Sequence, residues 1–138
     1  WWTADDKAAF EVKSKALIDQ YDAFEPRNLP GEHVNGALTV GENIGDLGGL
    51  TIGHTAYSIF RGGQVTAEEG QRLFLNWAYC WRTKRRKEQE VQYLTIDPHS
   101  PPDLRANLVR NVDAFHTAFG TGEGDGMWLA PEDRVRIF

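Results

Sequence analysis

Glu42 and Asp46 stand four residues apart in a stretch with helical spacing, so their carboxylates point the same way from adjacent turns. Like charges so placed repel mildly unless a cation or a hydrogen-bond donor lies between them. Taken alone, the pair also fits a solvated acidic patch near a helix N-terminus, where the macrodipole favours carboxylates. Asp97-Pro98-His99 is a second candidate, because it sets a carboxylate two residues from an imidazole. Pro98, Pro101 and Pro102 stiffen that loop and lower the entropy cost of holding a side chain in place. By itself, a lone loop histidine is more often ordinary surface than catalytic. Arg105 follows, a cation near a helix start, where the dipole disfavours it. The lone Cys80 excludes a disulfide framework within the chain and any Cys-rich zinc site, and reads as a buried small hydrophobe. His33, His54, His99 and His116 are not spaced as in His-Glu-x-x-His, so no complete zinc motif of that kind is present. His54 and His116 fall within helical patterns and read as ordinary packing or surface.

The elements that must position these residues are helical. Thr3 with Asp6 forms a capping box in which Asp replaces Glu, and Phe10, Leu17, Tyr21 and Phe24 follow at helical spacing over residues 3–24. Pro26 and Pro30-Gly31 then open a loop. A second helix is predicted from Gly41 to Phe60, closed by Gly62-Gly63. It carries Gly41, Gly45, Gly48, Gly49 and Gly53, each interior one costing about 1 kcal/mol relative to Ala. Gly45, Gly49 and Gly53 share one face, where another backbone could approach closely. Thr66 and Glu69 cap a third helix with Leu73, Phe74, Trp77 and Trp81 on its stripe. Leu94 to Pro102 reads as extended or looped. A fourth helix is predicted over Asp103–Phe119, ending at Gly120, and Val135 with Ile137 alternates as a short strand would. The prediction is a mainly α chain of about four helices with long loops, in one unit over residues 1–138.

Composition narrows the function. The formal charge of −5 opposes a nucleic-acid binder, which needs a basic surface. The run Arg82, Lys84, Arg85, Arg86 and Lys87 is followed at once by Glu88 and Glu90, and reads as a solvated helix end. No apolar run approaches the roughly 18 residues of a membrane span. The chain opens on Trp1-Trp2, two aromatics ill suited to a frayed terminus, and is expected to be a piece of a longer protein.

Gly41-Glu42-Asn43-Ile44-Gly45-Asp46-Leu47-Gly48-Gly49-Leu50 resembles the signature helix of the neprilysin and endothelin-converting-enzyme family of zinc metallopeptidases. Further landmarks follow in the family's order: Trp1-Trp2-Thr3, Gln20-Tyr21 with Phe24, Asn35-Gly36, Leu75-Asn76 with Trp81, Asp97-Pro98-His99-Ser100-Pro101 with Arg105, and Asn111 with Phe115 and Phe119. The resemblance therefore runs through the whole chain. It implies the C-terminal portion of a zincin-type catalytic domain, with the His-Glu-x-x-His helix lying upstream. By the same resemblance Glu42 is the third zinc ligand, beside two histidines and a water. Asp46 is the carboxylate that orients a ligand histidine. His99 is the donor to the oxyanion, with Asp97 orienting it, and Arg105 grips a carbonyl of the bound peptide. The resemblance implies peptide substrates and one zinc in the full-length protein.

Two departures stand out. The interval from Arg105 to Asn111 is one residue shorter than the family pattern, and the chain closes Arg136-Ile137-Phe138 where many members have a cysteine-containing segment ending in Trp. With the missing cysteines, this points to a bacterial member. Alone, the chain is expected to be inactive, to hold no zinc tightly, and either to self-associate through uncovered apolar surface or to be only marginally stable. The competing function classes are a helical binding module that kept the fold and lost catalysis, and, more remotely, a nucleic-acid binder using the basic run.

Overall fold

Thr3 starts the first helix through both halves of a capping box, its hydroxyl accepting the Asp6 N–H at 3.1 Å. The computed structural model describes residues 1–137; Phe138 lies outside the described residues. Six α-helices follow in order: α1 (Ala4–Asp22), α2 (Gly36–Phe60), α3 (Ala67–Cys80), α4 (Lys87–Ile96), α5 (Pro102–Ala106) and α6 (Asp113–Phe119). A 3₁₀ turn over Asn107–Asn111 joins α5 to α6, and another spans Pro131–Asp133. No helix among the described residues is long and apolar enough to cross a membrane.

The core is one cluster. Leu17 and Tyr21 of α1, Leu47 and Leu50 of α2, Phe74 of α3, and Leu104, Leu108, Val112 and Phe115 from the segment running from α5 into α6 are all buried. Two glycines let helices meet at close range. A Cβ on Gly36 would strike the Ile18 carbonyl oxygen, so α2 starts against the backbone of α1, where the Gly36 N–H donates to Asp22 at 2.7 Å. A Cβ on Gly70 would lie 2.9 Å from Ala118, which sets the α3–α6 approach. Phe74 and Phe115 meet edge to face across it, with ring centroids 5.7 Å apart.

Several expectations need correction. The second helix begins at Gly36, one full turn before Gly41, because the Asn35 side chain caps it by accepting the Leu38 N–H at 2.9 Å. The basic run is the loop between α3 and α4, not a helix end, since α3 stops at Cys80 and a separate helix starts at Lys87. That helix buries no residue, so it leaves no apolar stripe in the sequence. It also takes the first residues of the segment expected to be extended; the prolines exclude helix only from Asp97 to Pro101.

The fourth predicted helix is broken into α5, the 3₁₀ turn and α6, with Val112 extended between the last two. The physical reason is Asn111, which is buried and fully partnered: its amide donates to Gln20 at 2.7 Å and its oxygen accepts the Val135 N–H at 2.9 Å. Val135 and Ile137 are buried but form no strand among the described residues; Val135 is held by Asn111 and the Ile137 carbonyl by Lys13 at 3.0 Å. Cys80 is exposed, not buried, because it sits on the outer side of the last turn of α3.

A Cβ on Gly45, Gly49 or Gly53 would meet no other part of the chain within 4 Å, so the face they share is open in this chain. The far end of α2 is open as well, with Ile52, Ile59 and Phe60 exposed.

Candidate active site

The middle of α2 presents Glu42 and Asp46 on one side and buries Asn43 between them. Asn43 fixes the neighbouring loop. Its Nδ2 donates to Thr39 on its own helix at 3.1 Å, and its Oδ1 accepts the Ser100 hydroxyl at 2.7 Å, in the buried interior. Ser100 thereby ties the Asp97–Pro101 loop to α2 beside Glu42. Neither role is visible in the sequence, because a hydrogen bond across 57 residues leaves no local pattern.

That tie brings His99 to Glu42. The His99 Nε2 lies 3.2 Å from a Glu42 oxygen, with both side chains about half exposed (45% and 46%). On the other side of the ring, Nδ1 is 2.7 Å from Asp97, whose same oxygen accepts the His99 backbone N–H at 3.0 Å. Burial raises the Asp97 pKa, but the His99 backbone and ring bonds, with Arg85 nearby, outweigh it and hold that carboxyl below its usual value. The imidazole thus stands between two carboxylates from different elements.

Arg105 reaches the same place from α5. Its Nε and Nη2 form a two-pronged pair with the two oxygens of Asp46, at 2.6 and 2.7 Å, and both side chains are nearly buried (13% and 11% exposed). The hydrogen bond to Asp46 raises the arginine's pKa above its already high ordinary value, against the effect of burial. Its guanidinium lies 3.8 Å from the centre of the Trp81 ring, a cation–π stack that fixes its plane. Trp77 donates its indole N–H to the Arg105 carbonyl at 3.2 Å, anchoring α5 to α3. Asp46 is the counter-charge that removes the dipole objection to a cation at this helix.

All five residues singled out in the sequence therefore converge: Glu42 and Asp46 from α2, Asp97 and His99 from the loop, and Arg105 from α5. Asn43, Ser100 and Trp81 are the positioning residues that sequence reasoning missed. His116 is buried and spent on structure, with its ring nitrogens 2.6 Å from the Thr121 hydroxyl and 2.8 Å from the Arg110 carbonyl. His54 stacks on Phe74 at 6.0 Å, away from this site. Among the described residues, no three His, Cys, Asp or Glu side chains gather as a metal site.

Comparison with known proteins gives a consistent result. The family model described as Peptidase family M13 matches residues 1–135. The neutral endopeptidase of Lactococcus lactis subsp. lactis (strain IL1403) is 38% identical over 139 residues, covering all of this chain and 21% of that protein. Human neprilysin is 32% identical over 147 residues, again covering the whole chain and 19% of that protein. The crystal structure of Mycobacterium tuberculosis zinc metalloprotease Zmp1 in complex with an inhibitor superposes with a TM-score of 0.94 at 50% identity, over 99% of this chain and 22% of that one. The chain spans about a fifth of the length of the curated relatives it matches.

Proposed function

This chain belongs to peptidase family M13, and from that membership we propose that it is the C-terminal segment of the catalytic domain of a zinc-dependent endopeptidase. The observation that carries the reading is the convergence of Glu42, Asp46, Asp97, His99 and Arg105 from three separate elements onto one site. Glu42 would hold the zinc as one of three protein ligands, and the two histidines would come from a His-Glu-x-x-His helix elsewhere in the full-length protein. The donor chemistry supports this division. Glu42 is a half-exposed carboxylate whose ion-pair partner among the described residues is the His99 ring, and no further metal-binding set accompanies it there. When bound, the metal would polarise the peptide carbonyl and activate a water for attack.

The chain's own residues would do the rest. Asp97 fixes the His99 ring by accepting its Nδ1–H. From Nε2, next to Glu42, that ring would donate a hydrogen bond to the negative oxygen that develops on the carbonyl. Arg105 spends Nε and Nη2 on Asp46, which leaves Nη1 for a carbonyl of the bound peptide. Asp46 keeps lone pairs outside the guanidinium pair, available to orient a ligand histidine.

The test uses the full-length protein and an internally quenched peptide. Cleavage is expected to stop on treatment with a metal chelator and to return with added zinc. A protein that cleaves no peptide, or cleaves it equally after complete removal of zinc, would overturn the reading.

A further inference from the structure

A cavity of about 340 Å³ opens beside the candidate active site, with Asp97 and His99 in its wall. Its charged lining is balanced in number, with Arg27, Arg82 and Arg85 against Glu90, Asp97 and Asp103. It is not balanced in partners. Glu90 accepts the Asn28 amide at 3.2 Å, Asp103 accepts the Arg27 backbone N–H at 3.1 Å, and Asp97 is bound to His99. None of the three guanidiniums makes a hydrogen bond or an ion pair among the described residues. Two of them are instead held by aromatic faces. Arg82 lies 4.6 Å from the centre of the Tyr79 ring, and Arg85 lies 4.8 Å from that of Tyr93. A stacked guanidinium keeps its N–H donors free at its edge, and such a fork matches a carboxylate. The loop that carries them, residues 82–86, holds four cations and no anion, and Lys87 follows at the start of α4.

We infer that this cavity receives an acidic side chain of the bound peptide, with Arg82 and Arg85 as the residues that select it. The inference rests on the peptidase reading above, since His99 is shared between the cavity wall and the proposed catalytic set. A peptide held at His99 would have a neighbouring residue within reach of the cavity, and the free donors there favour a carboxylate over an amide or an amine.

The experiment compares rates of the full-length enzyme on peptides blocked at both ends, so that a side chain supplies the only carboxylate. Each position flanking the cleaved bond carries Glu, Gln or Lys in turn. At one position Glu is expected to exceed Gln in kcat/KM by about tenfold, the scale of a hydrogen bond between charged groups. The ratio should fall towards one in R82Q/R85Q, and the preference should turn to Lys in R82E/R85E. Should the charge-reversed variant fail to fold, the glutamine pair reads the same quantity through the Glu-to-Gln ratio. A ratio near one at every position in the wild type, or one unchanged by R82Q/R85Q, would overturn the inference while leaving the peptidase reading intact. Failure of the wild type to cleave any peptide would instead contradict that reading.

Discussion

His99 has a carboxylate at each ring nitrogen, and its two contacts differ in what they can do. The Asp97 contact is short and comes from within the same loop, so it sets the ring's orientation. The Glu42 contact is longer, half exposed and made between elements, and on the proposed function it is the side on which the ring would meet the peptide carbonyl. On the proposed mechanism, removing the ring takes away a donor to the developing oxyanion but no metal ligand, although it frees Glu42 from its ring contact. His99→Ala in the full-length protein is therefore expected to lower kcat by about 10²–10³ with a smaller change in KM, measured by steady-state peptide hydrolysis. Normal kcat would remove His99 from the mechanism. The candidate residues were legible because they stand in ordered motifs whose resemblance spans the chain. What the residues alone left open was whether Glu42 and Asp46 form a solvated patch. Structure separates their fates: Asp46 is nearly buried and tied to Arg105, while Glu42 stays available. The ties that place them, Ser100 to Asn43 and Arg105 over Trp81, join residues too distant in sequence for any local pattern to disclose.

At the scale of elements, glycine has two opposite roles here. Gly36 and Gly70 stand where helices touch, whereas Gly45, Gly49 and Gly53 face open space within this chain. Gly36→Ala and Gly70→Ala should each destabilise the chain by about 1–3 kcal/mol through overpacking, read from denaturant unfolding. Gly45→Ala should instead stabilise the isolated 138-residue chain by up to about 1 kcal/mol, because only helix propensity changes. If the open stripe is where another backbone packs in the full-length protein, the same substitution becomes destabilising there. Equal effects in both settings would contradict that role for the stripe. Helix boundaries were legible where a side chain caps and an apolar stripe follows, as at Thr3 and Thr66. They were hidden where α4 buries nothing, and where the tertiary partners of Asn111 break a helix that periodicity alone would continue.

At the scale of the whole molecule, Asp113 and Glu69 join Asp97 in linking stability to pH. Asp113 is held below its ordinary range first by its bond to Arg134 and then by Arg136, at 2.8 and 2.6 Å, which tie α6 to the C-terminal segment. Glu69 is held low first by the Thr66 backbone N–H it accepts, in the cap of α3. A pKa lowered by folding means that the stabilisation is fully present above the ordinary values of 3.8 and 4.5, and is lost as pH falls through the lowered ones. Thermal unfolding should accordingly show a fall in Tm as pH drops below about 4, with a shallower fall in Asp113→Asn. An unchanged slope in that variant would remove Asp113 from the acid response. The proposed function makes the molecule one part of a divided site, in which this chain would supply a single zinc ligand, Glu42, and an adjacent histidine that is not a ligand. Zinc content of the purified full-length protein tests it most directly, compared among the wild type, Glu42→Gln and His99→Ala after dialysis against a mild chelator. The prediction is about one zinc per chain in the wild type and in His99→Ala, and none retained in Glu42→Gln. Full zinc in Glu42→Gln, or its loss in His99→Ala, would contradict the account.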